Sequence, residues 1–263
     1  MTDDLFSLSG RVCMITGASS GLGRRIAICL AEAGAVVVLT GRRQALLKEV
    51  EKAIADIGGQ AHSYTLDVNN RTAVEQIIDT IEEQVGPIWC LVNNSGVVVM
   101  NRPENFSEEQ YDDVLDTNLK APFHLCQVVG RKMIARHDGG RIINMASIGA
   151  QTELEGGITY CMSKAALVTM TKCLAVEWAR YGIHVNAISP GYIETEMTSQ
   201  YYGSEQGQKT IAGWPGKRIG KPKDLDGIIL LLASSASEFM NGSIVSVDDA
   251  QPLGFFGNSR QIS

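Results

Sequence analysis

Residues 11–34, RVCMITGASSGLGRRIAICLAEAG, decide the fold. Arg11 to Thr16 reads as a short apolar strand, residues 17–23 as a glycine-rich turn, and Arg24 to Glu32 as a helical run closed by Gly34. In that order they aim backbone N–H groups and a helix N-terminus at an anion, the arrangement that cradles a phosphate. Gly17, Gly21 and Gly23 permit the tight turn and a close approach of ligand to backbone. Ser19, Ser20 and Leu22 lie in the same turn and join the candidate binding set. The spacing is not G-x-G-x-x-G, because Ile26 stands where the third glycine of that pattern falls.

A second strand–helix unit follows at once, with Ala35 to Thr40 as its strand. In a dinucleotide fold an acid at the end of this strand holds the ribose hydroxyls of NAD. Gly41, Arg42 and Arg43 stand here instead. No carboxylate repels a 2'-phosphate, and two guanidiniums are placed to pair with one. Two adjacent positive charges also oppose the dipole of the helix they precede, which argues against a purely structural role. The expected cofactor is NADP(H).

Further units repeat the pattern. Ala61 to Leu66 is a strand ending in Asp67 and Val68; Asn70 to Gln84 is an amphipathic helix; Ile88 to Val92 is a buried strand ending in NNSG at 93–96. Asn93 and Ser95 therefore sit at a strand's carboxyl end, where ligands bind in parallel sheets. Ser107 to His137 is helical, with Asn118 inside it among apolar neighbours. Asparagine is a poor helix-interior residue, so Asn118 marks a helix distortion, a functional water site, or both. Arg141 to Met145 is the next strand, followed by a helix from about Tyr160 to Tyr181 and a strand over Ile183 to Ile188. Pro190 and Gly191 stop that strand. A candidate flap covers 192–222 and holds Tyr201, Tyr202 and Trp214; helix Asp224 to Ala233 and strand Ser243 to Val247 complete the order. The tail at 254–263 carries two phenylalanines that need a packing surface. Seven strands alternating with helices predict a single α/β domain over 1–263, Rossmann-like and doubly wound, with a parallel sheet between two helical layers.

Bulk properties narrow the function classes. The 263 residues, 44% of them hydrophobic, suffice for one large core. The net charge of -6 and the absence of any Lys/Arg block argue against nucleic acid as a partner. No apolar stretch is long enough for a membrane span, and no leader of signal type is present. Six cysteines without C-x-x-C spacing read as free thiols of a reducing compartment, so a cytoplasmic location is expected.

The chemistry is concentrated in 147–164, SIGAQTELEGGITYCMSK. Tyr160 and Lys164 are an i,i+4 pair on one helix face. An ammonium beside a phenol favours the phenolate, so the Tyr160 pKa is expected to fall from about 10 toward the working range. Ser147, at the carboxyl end of a strand, is placed to reach the same substrate oxygen.

Together, TGASSGLG at 16–23, Asp67-Val68, NNSG, Asn118, Ser147, Tyr160-x-x-x-Lys164 and PGYIET at 190–195 resemble the classical short-chain dehydrogenase/reductase family in order and spacing. The resemblance covers about 8–250 and implies a catalytic tetrad of Asn118, Ser147, Tyr160 and Lys164. It implies a cofactor site formed by the glycine-rich turn, Arg42, Arg43, Asp67, Val68, Asn93, Ser95, Tyr160, Lys164, Pro190, Gly191, Ile193 and Thr195. Lys164 would lower the Tyr160 pKa and hold the nicotinamide ribose, and Asn118 would position a proton-relaying water. Two departures stand out: Ser20 replaces a basic residue found in some NADPH-using relatives, and Asp248-Asp249-Ala250 replaces the usual Asp-Gly-Gly.

The resemblance extends to 3-oxoacyl-carrier-protein reductases, which dock an acidic carrier through two arginines. Arg131 matches one of them and Val176 stands at the other. Glu153 and Glu155 would repel an acidic partner or a carboxylate substrate if they face the pocket. A small or medium free ketone, or the matching secondary alcohol, is the expected substrate; the carrier-bound thioester, or an NAD-dependent alcohol oxidation, is the alternative. The family usually pairs its long helices, here about 107–136 and 158–180, so a homo-oligomer, and a tetramer in particular, is expected.

Overall fold

The computed structural model describes residues 5–196 and 198–255, the side chains of Gln200, Gly254 and Phe255 apart. The phenylalanine-bearing tail therefore lies outside the described residues. Seven strands form one sheet, β1 (Val12–Thr16), β2 (Val36–Gly41), β3 (Gln60–Thr65), β4 (Ile88–Asn93), β5 (Gly140–Met145), β6 (Ile183–Pro190) and β7 (Ile244–Val247). Their order is β3-β2-β1-β4-β5-β6-β7, and every pairing is parallel.

Alternation along the strands builds two cores. Cys13 and Ile15 face one side of β1, with Ile26 and Leu30 of α1 (Gly21–Glu32), Val50 and Ile54 of α2 (Gln44–Asp56), and Ile229 and Leu232 of α9 (Asp226–Ala233). Val12 and Met14 face the other, against Val74 and Ile78 of α3 (Arg71–Gln84) and Leu125 and Val129 of α5 (Ala121–Arg136). Side chains two apart share a face, so each central strand feeds both layers.

The helical region around Asn118 is not continuous. α4 (Glu108–Leu115) opens with a capping box between Ser107 and Gln110, then widens into a π-helical turn at Asp116–Lys120 before α5 begins. Pro122 has no N–H to give to the Asn118 carbonyl, and the Ala121 N–H bonds back to Asp116 across five residues. The distortion expected at Asn118 is this π turn. α6 (Ile158–Trp178) starts two residues earlier than expected, placing Tyr160 in its first turn.

The chain builds β1, β2 and β3 outward to one side, then returns to lay β4 on the other flank of β1. A crevice opens at that reversal, at the carboxyl ends of the strands. The flap holds two short helices, α7 (Ser199–Tyr202) and α8 (Glu205–Gly213). They surround a small core of their own in which Tyr202 and Trp214 pack against Tyr192.

Candidate active site

A cavity of ≈ 630 Å³ runs along the crevice, from Arg42 and Arg43 at one end to Ser147 and Tyr160 at the other. Its first wall is the glycine-rich turn. Gly17 has φ 65, a left-handed conformation, and a Cβ there would press on Asn94 and Ser95 at 3.1 Å. The turn is held to the end of β4 by several bonds. Thr16 Oγ1 accepts from the N–H groups of Asn94 and Ser95 at 3.0 Å each, and Asn94 Nδ2 donates to the Thr16 carbonyl at 2.9 Å.

Arg43 leans back over this turn. Its Nη2 donates to Ser19 Oγ at 3.0 Å and to Ser20 Oγ at 2.5 Å. The cation that Ser20 does not supply by sequence thus arrives across space from the end of β2. Arg42 lines the same end of the cavity, and both guanidiniums are exposed. Asp67 and Val68 follow on the rim, where Asp67 Oδ1 accepts from the Asn69 N–H at 3.0 Å. Ser19, Ser20, Leu22, Ser95, Pro190, Gly191, Ile193 and Thr195 also line the cavity.

Asn93 does not. Its Cα lies opposite Asn144 of β5, and its Nδ2 donates to Asn144 Oδ1 at 2.8 Å; Asn144 Nδ2 donates in turn to Thr171 Oγ1 at 2.9 Å. Asn93 is an interior tie between β4, β5 and α6, and Asn94 is the residue of that motif that meets the turn. Strand alternation was the available signal, since neighbours on a strand point to opposite faces.

Ser147, Tyr160 and Lys164 converge at the other end. Ser147 caps the short turn Ile148–Ala150 by accepting from the Gly149 N–H at 3.0 Å, which leaves its own proton to donate elsewhere. Lys164 Nζ donates to the Met145 carbonyl at 2.7 Å and stands 5.6 Å from the centre of the Tyr160 ring. Burial pushes the Lys164 ammonium down to about 8. Burial also holds the Tyr160 phenol above its ordinary value, with the Ser147 hydroxyl pulling the other way. The downward movement expected for Tyr160 is therefore reversed in the free protein, because both charged forms of the pair lose solvent together.

Asn118 is fully buried behind this group. Its Oδ1 accepts from the Val97 N–H at 2.8 Å, and its Nδ2 donates to the Val97 carbonyl at 2.8 Å and to Ser163 Oγ at 3.1 Å. The side chain thus fastens the loop after β4 to α6 and makes no bond to Lys164. Gly96 lies between them: a Cβ there would stand 3.3 Å from Asn118 Oδ1 and 3.6 Å from Lys164 Nζ.

Beyond Tyr160 the wall is formed by Val97, Val98, Ile148, Thr152, Leu154 and Tyr192. Glu153 and Glu155 are exposed and lie outside the lining, because the segment alternates and presents Thr152 and Leu154 inward. Sequence reasoning missed Asn94, Val97 and Tyr192. Among the described residues no cluster of His, Cys, Asp and Glu could hold a metal ion, and no helix is long and apolar enough to cross a membrane.

Such a fold and site are those of a nicotinamide-dependent oxidoreductase. A family model described as Enoyl-(Acyl carrier protein) reductase matches residues 17–249. The 2-dehydro-3-deoxy-D-gluconate 5-dehydrogenase of Dickeya dadantii is 38% identical over 247 residues, 92% of this chain and 96% of its own. The NAD-dependent glycerol dehydrogenase of Listeria innocua is 35% identical over 94% of this chain and 95% of its own. The crystal structure of a gluconate 5-dehydrogenase from Burkholderia cenocepacia, in complex with NADP and tartrate, superposes with a TM-score of 0.91 at 33% identity, covering 96% of this chain and 99% of that one. The chain belongs to the short-chain dehydrogenase/reductase family.

Proposed function

We propose that the protein reduces a small or medium ketone to a secondary alcohol, reversibly, with NADP(H) as cofactor. The observation that carries this reading is the division of charge along one continuous cavity. Arg42 and Arg43 stand at the end where the turn offers its N–H groups, while the lining beyond Tyr160 is largely apolar. The residues suit the cofactor: glycine at 17 lets the turn lie close against Asn94 and Ser95 at the cavity's first wall, the arginine pair offers charge to a 2'-phosphate, and Lys164 lines the cavity beside Tyr160, where it would hold the nicotinamide ribose.

When bound, the nicotinamide would supply the hydride in reduction and accept it in oxidation. Tyr160 gives its proton to the carbonyl oxygen in reduction and takes it back in oxidation. Burial keeps the phenol protonated at neutral pH, which is the form reduction needs. The Ser147 hydroxyl donates to the same oxygen and strengthens as negative charge builds there. Asn118 acts through the backbone of Val97, holding the loop beneath the pair.

The nearest rival substrate is a 3-oxoacyl group on a carrier protein. Val176 is 79% exposed and offers no charge at the place expected for a docking arginine, which favours the free ketone. Because Glu153 and Glu155 face away, they do not weigh against a carboxylate substrate. The weight against one is that Val97, Val98, Ile148, Thr152, Leu154 and Tyr192, which form the wall beyond Tyr160, offer no cation to pair with a carboxylate. The test follows NADPH and NADH oxidation with aliphatic, cyclic and aryl ketones, a keto-aldonate and a carrier-bound 3-oxoacyl thioester. Highest kcat/KM on a neutral ketone with NADPH is the expected result. A clear preference for the carrier-bound or the acidic substrate overturns the substrate reading, and a preference for NADH overturns the cofactor reading.

A further inference from the structure

The turn after β7 holds strained backbone close to the site. Asp249 and Ala250 are consecutive residues with φ 50 and φ 59, the left-handed region that L side chains disfavour. This turn delivers Gln251, which is 3% exposed, to the base of the flap. Gln251 Oε1 accepts from the Tyr192 N–H at 2.7 Å, and Nε2 donates at 3.4 Å to both the Tyr192 and Arg218 carbonyls. The amide thus grips Tyr192 on both sides of its backbone and reaches the far end of the flap. Space for it exists because residue 191 is glycine: a Cβ there would collide with Gln251 Oε1. Asp249 adds a bond from Arg218 Nε at 2.9 Å, and Arg218 also pairs with Asp224 at 3.0 Å.

The gripped residue carries the pocket wall. Tyr192 lines the cavity beside Ile148 and Tyr160, and its ring stacks on Trp214 at 5.1 Å with the planes 7° apart. Tyr202 meets the same ring edge-on at 5.9 Å. The Gly220 N–H donates to the Tyr192 carbonyl at 3.0 Å and closes the loop's base. The buried Gln251 amide and the Gly220 N–H therefore share the hold on the backbone that carries this aromatic wall beside Tyr160, and the amide alone reaches both the N–H and the carbonyl of Tyr192.

We propose that Gln251 is a positioning residue for substrate selection: it fixes the backbone of Tyr192 so that the Tyr192–Trp214 stack forms a rigid wall opposite the reacting carbonyl, selecting ketones with a flat or apolar substituent on that side. The inference rests on the ketone-reductase reading for its kinetic arm alone. Gln251→Met keeps the volume and removes the grip, whereas Gln251→Glu restores an oxygen in the place of Oε1. Two measurements decide. In hydrogen–deuterium exchange, peptides spanning 192–222 in Gln251→Met exchange faster than in the parent, those of the main sheet do not, and Gln251→Glu recovers part of the protection. In steady-state kinetics, Gln251→Met raises the KM for an aryl ketone about fivefold to tenfold, as loss of one buried hydrogen bond predicts. The kcat, the NADPH dissociation constant and the KM for a minimal aliphatic ketone stay within twofold. Unchanged exchange over 192–222 overturns the grip, whatever the enzyme reduces. Loosened exchange with equal KM changes for both ketones, or with parallel weakening of NADPH, overturns the role in selection. A parent that turns over no ketone overturns the ketone reading, and exchange then decides the grip separately.

Discussion

Tyr160 and Lys164 share a buried corner in which each raises a separate question that one substitution answers. Tyr160→Phe keeps the ring and removes only the proton donor, so turnover should fall by about two to four orders of magnitude. NADPH affinity, measured by cofactor fluorescence, should change less than twofold; activity within a few-fold of the parent would assign the proton to another group. Lys164 makes a prediction in stability. Its folded pKa is about 8 against an ordinary 10.5, so between those values the unfolded chain binds more protons than the folded one. Stability from this group therefore rises with pH across about 8 to 10.5, and below 8 the buried ammonium costs roughly 3 kcal/mol. Lys164→Met, compared with the parent by calorimetry, should gain most in relative stability at pH 7 and lose that gain by pH 10. A difference that does not vary with pH would show that the ammonium is not held down. At the other end of the cavity, Arg42→Ala and Arg43→Ala should each raise the KM for NADPH by about tenfold or more, the weight of a charge-assisted hydrogen bond. The KM for NADH should stay within twofold, and equal losses on both cofactors would refute the 2'-phosphate reading.

The π turn between α4 and α5 turns Asn118 inward to a loop instead of along its own helix. Its amide makes three bonds, accepting from the Val97 N–H and donating to the Val97 carbonyl and to Ser163 Oγ. Asn118→Ala removes the partner of the half-buried Val97 N–H and carbonyl, at a cost of roughly 1 to 3 kcal/mol for each group stranded, while Ser163 keeps its bond to the Tyr160 carbonyl. Chemical denaturation should therefore show a clear loss of stability in Asn118→Ala and almost none in Tyr160→Phe. If Asn118→Ala keeps full stability while activity is lost, the residue serves the proton path and not the loop. The same element logic applies to the flap, whose aromatic core of Tyr192, Tyr202 and Trp214 stands apart from the two main cores.

Across the whole molecule, the apolar residues of the long helices expected to pair between subunits are of two kinds. Val128, Met133, Leu167 and Leu174 are interior to the chain, and Met170 packs on them. What remains outward on α4, α5 and α6 is Tyr111, Phe123, Ile158, Met162 and Val176. Exposed apolar side chains mark an association surface where they form one contiguous patch. The predicted assembly is a tetramer, and light scattering at low micromolar concentration should give about four times the chain mass. A mass near 28.4 kDa would refute it, and half the tetramer mass would restrict association to one pairing.

Local sequence determined the repeating strand–helix order, the glycine-rich turn and the helical spacing of Tyr160 and Lys164. Each is legible because it depends on neighbours within a few residues: strand alternation, a tight turn, an i,i+4 pair. The direction of the Tyr160 shift was not legible, because it follows from desolvation by segments far apart in the chain. Nor was the choice between Asn93 and Asn94, which rests on β5 supplying Asn144 opposite one of them. Arg43 meeting Ser20, and Gln251 gripping Tyr192, join residues 23 and 59 positions apart, so only the folded chain brings them together. Sequence specified the candidate catalytic side chains because their chemistry is local; tertiary structure decided the direction of their pKa shifts and the walls around them, because burial and contact belong to the whole fold.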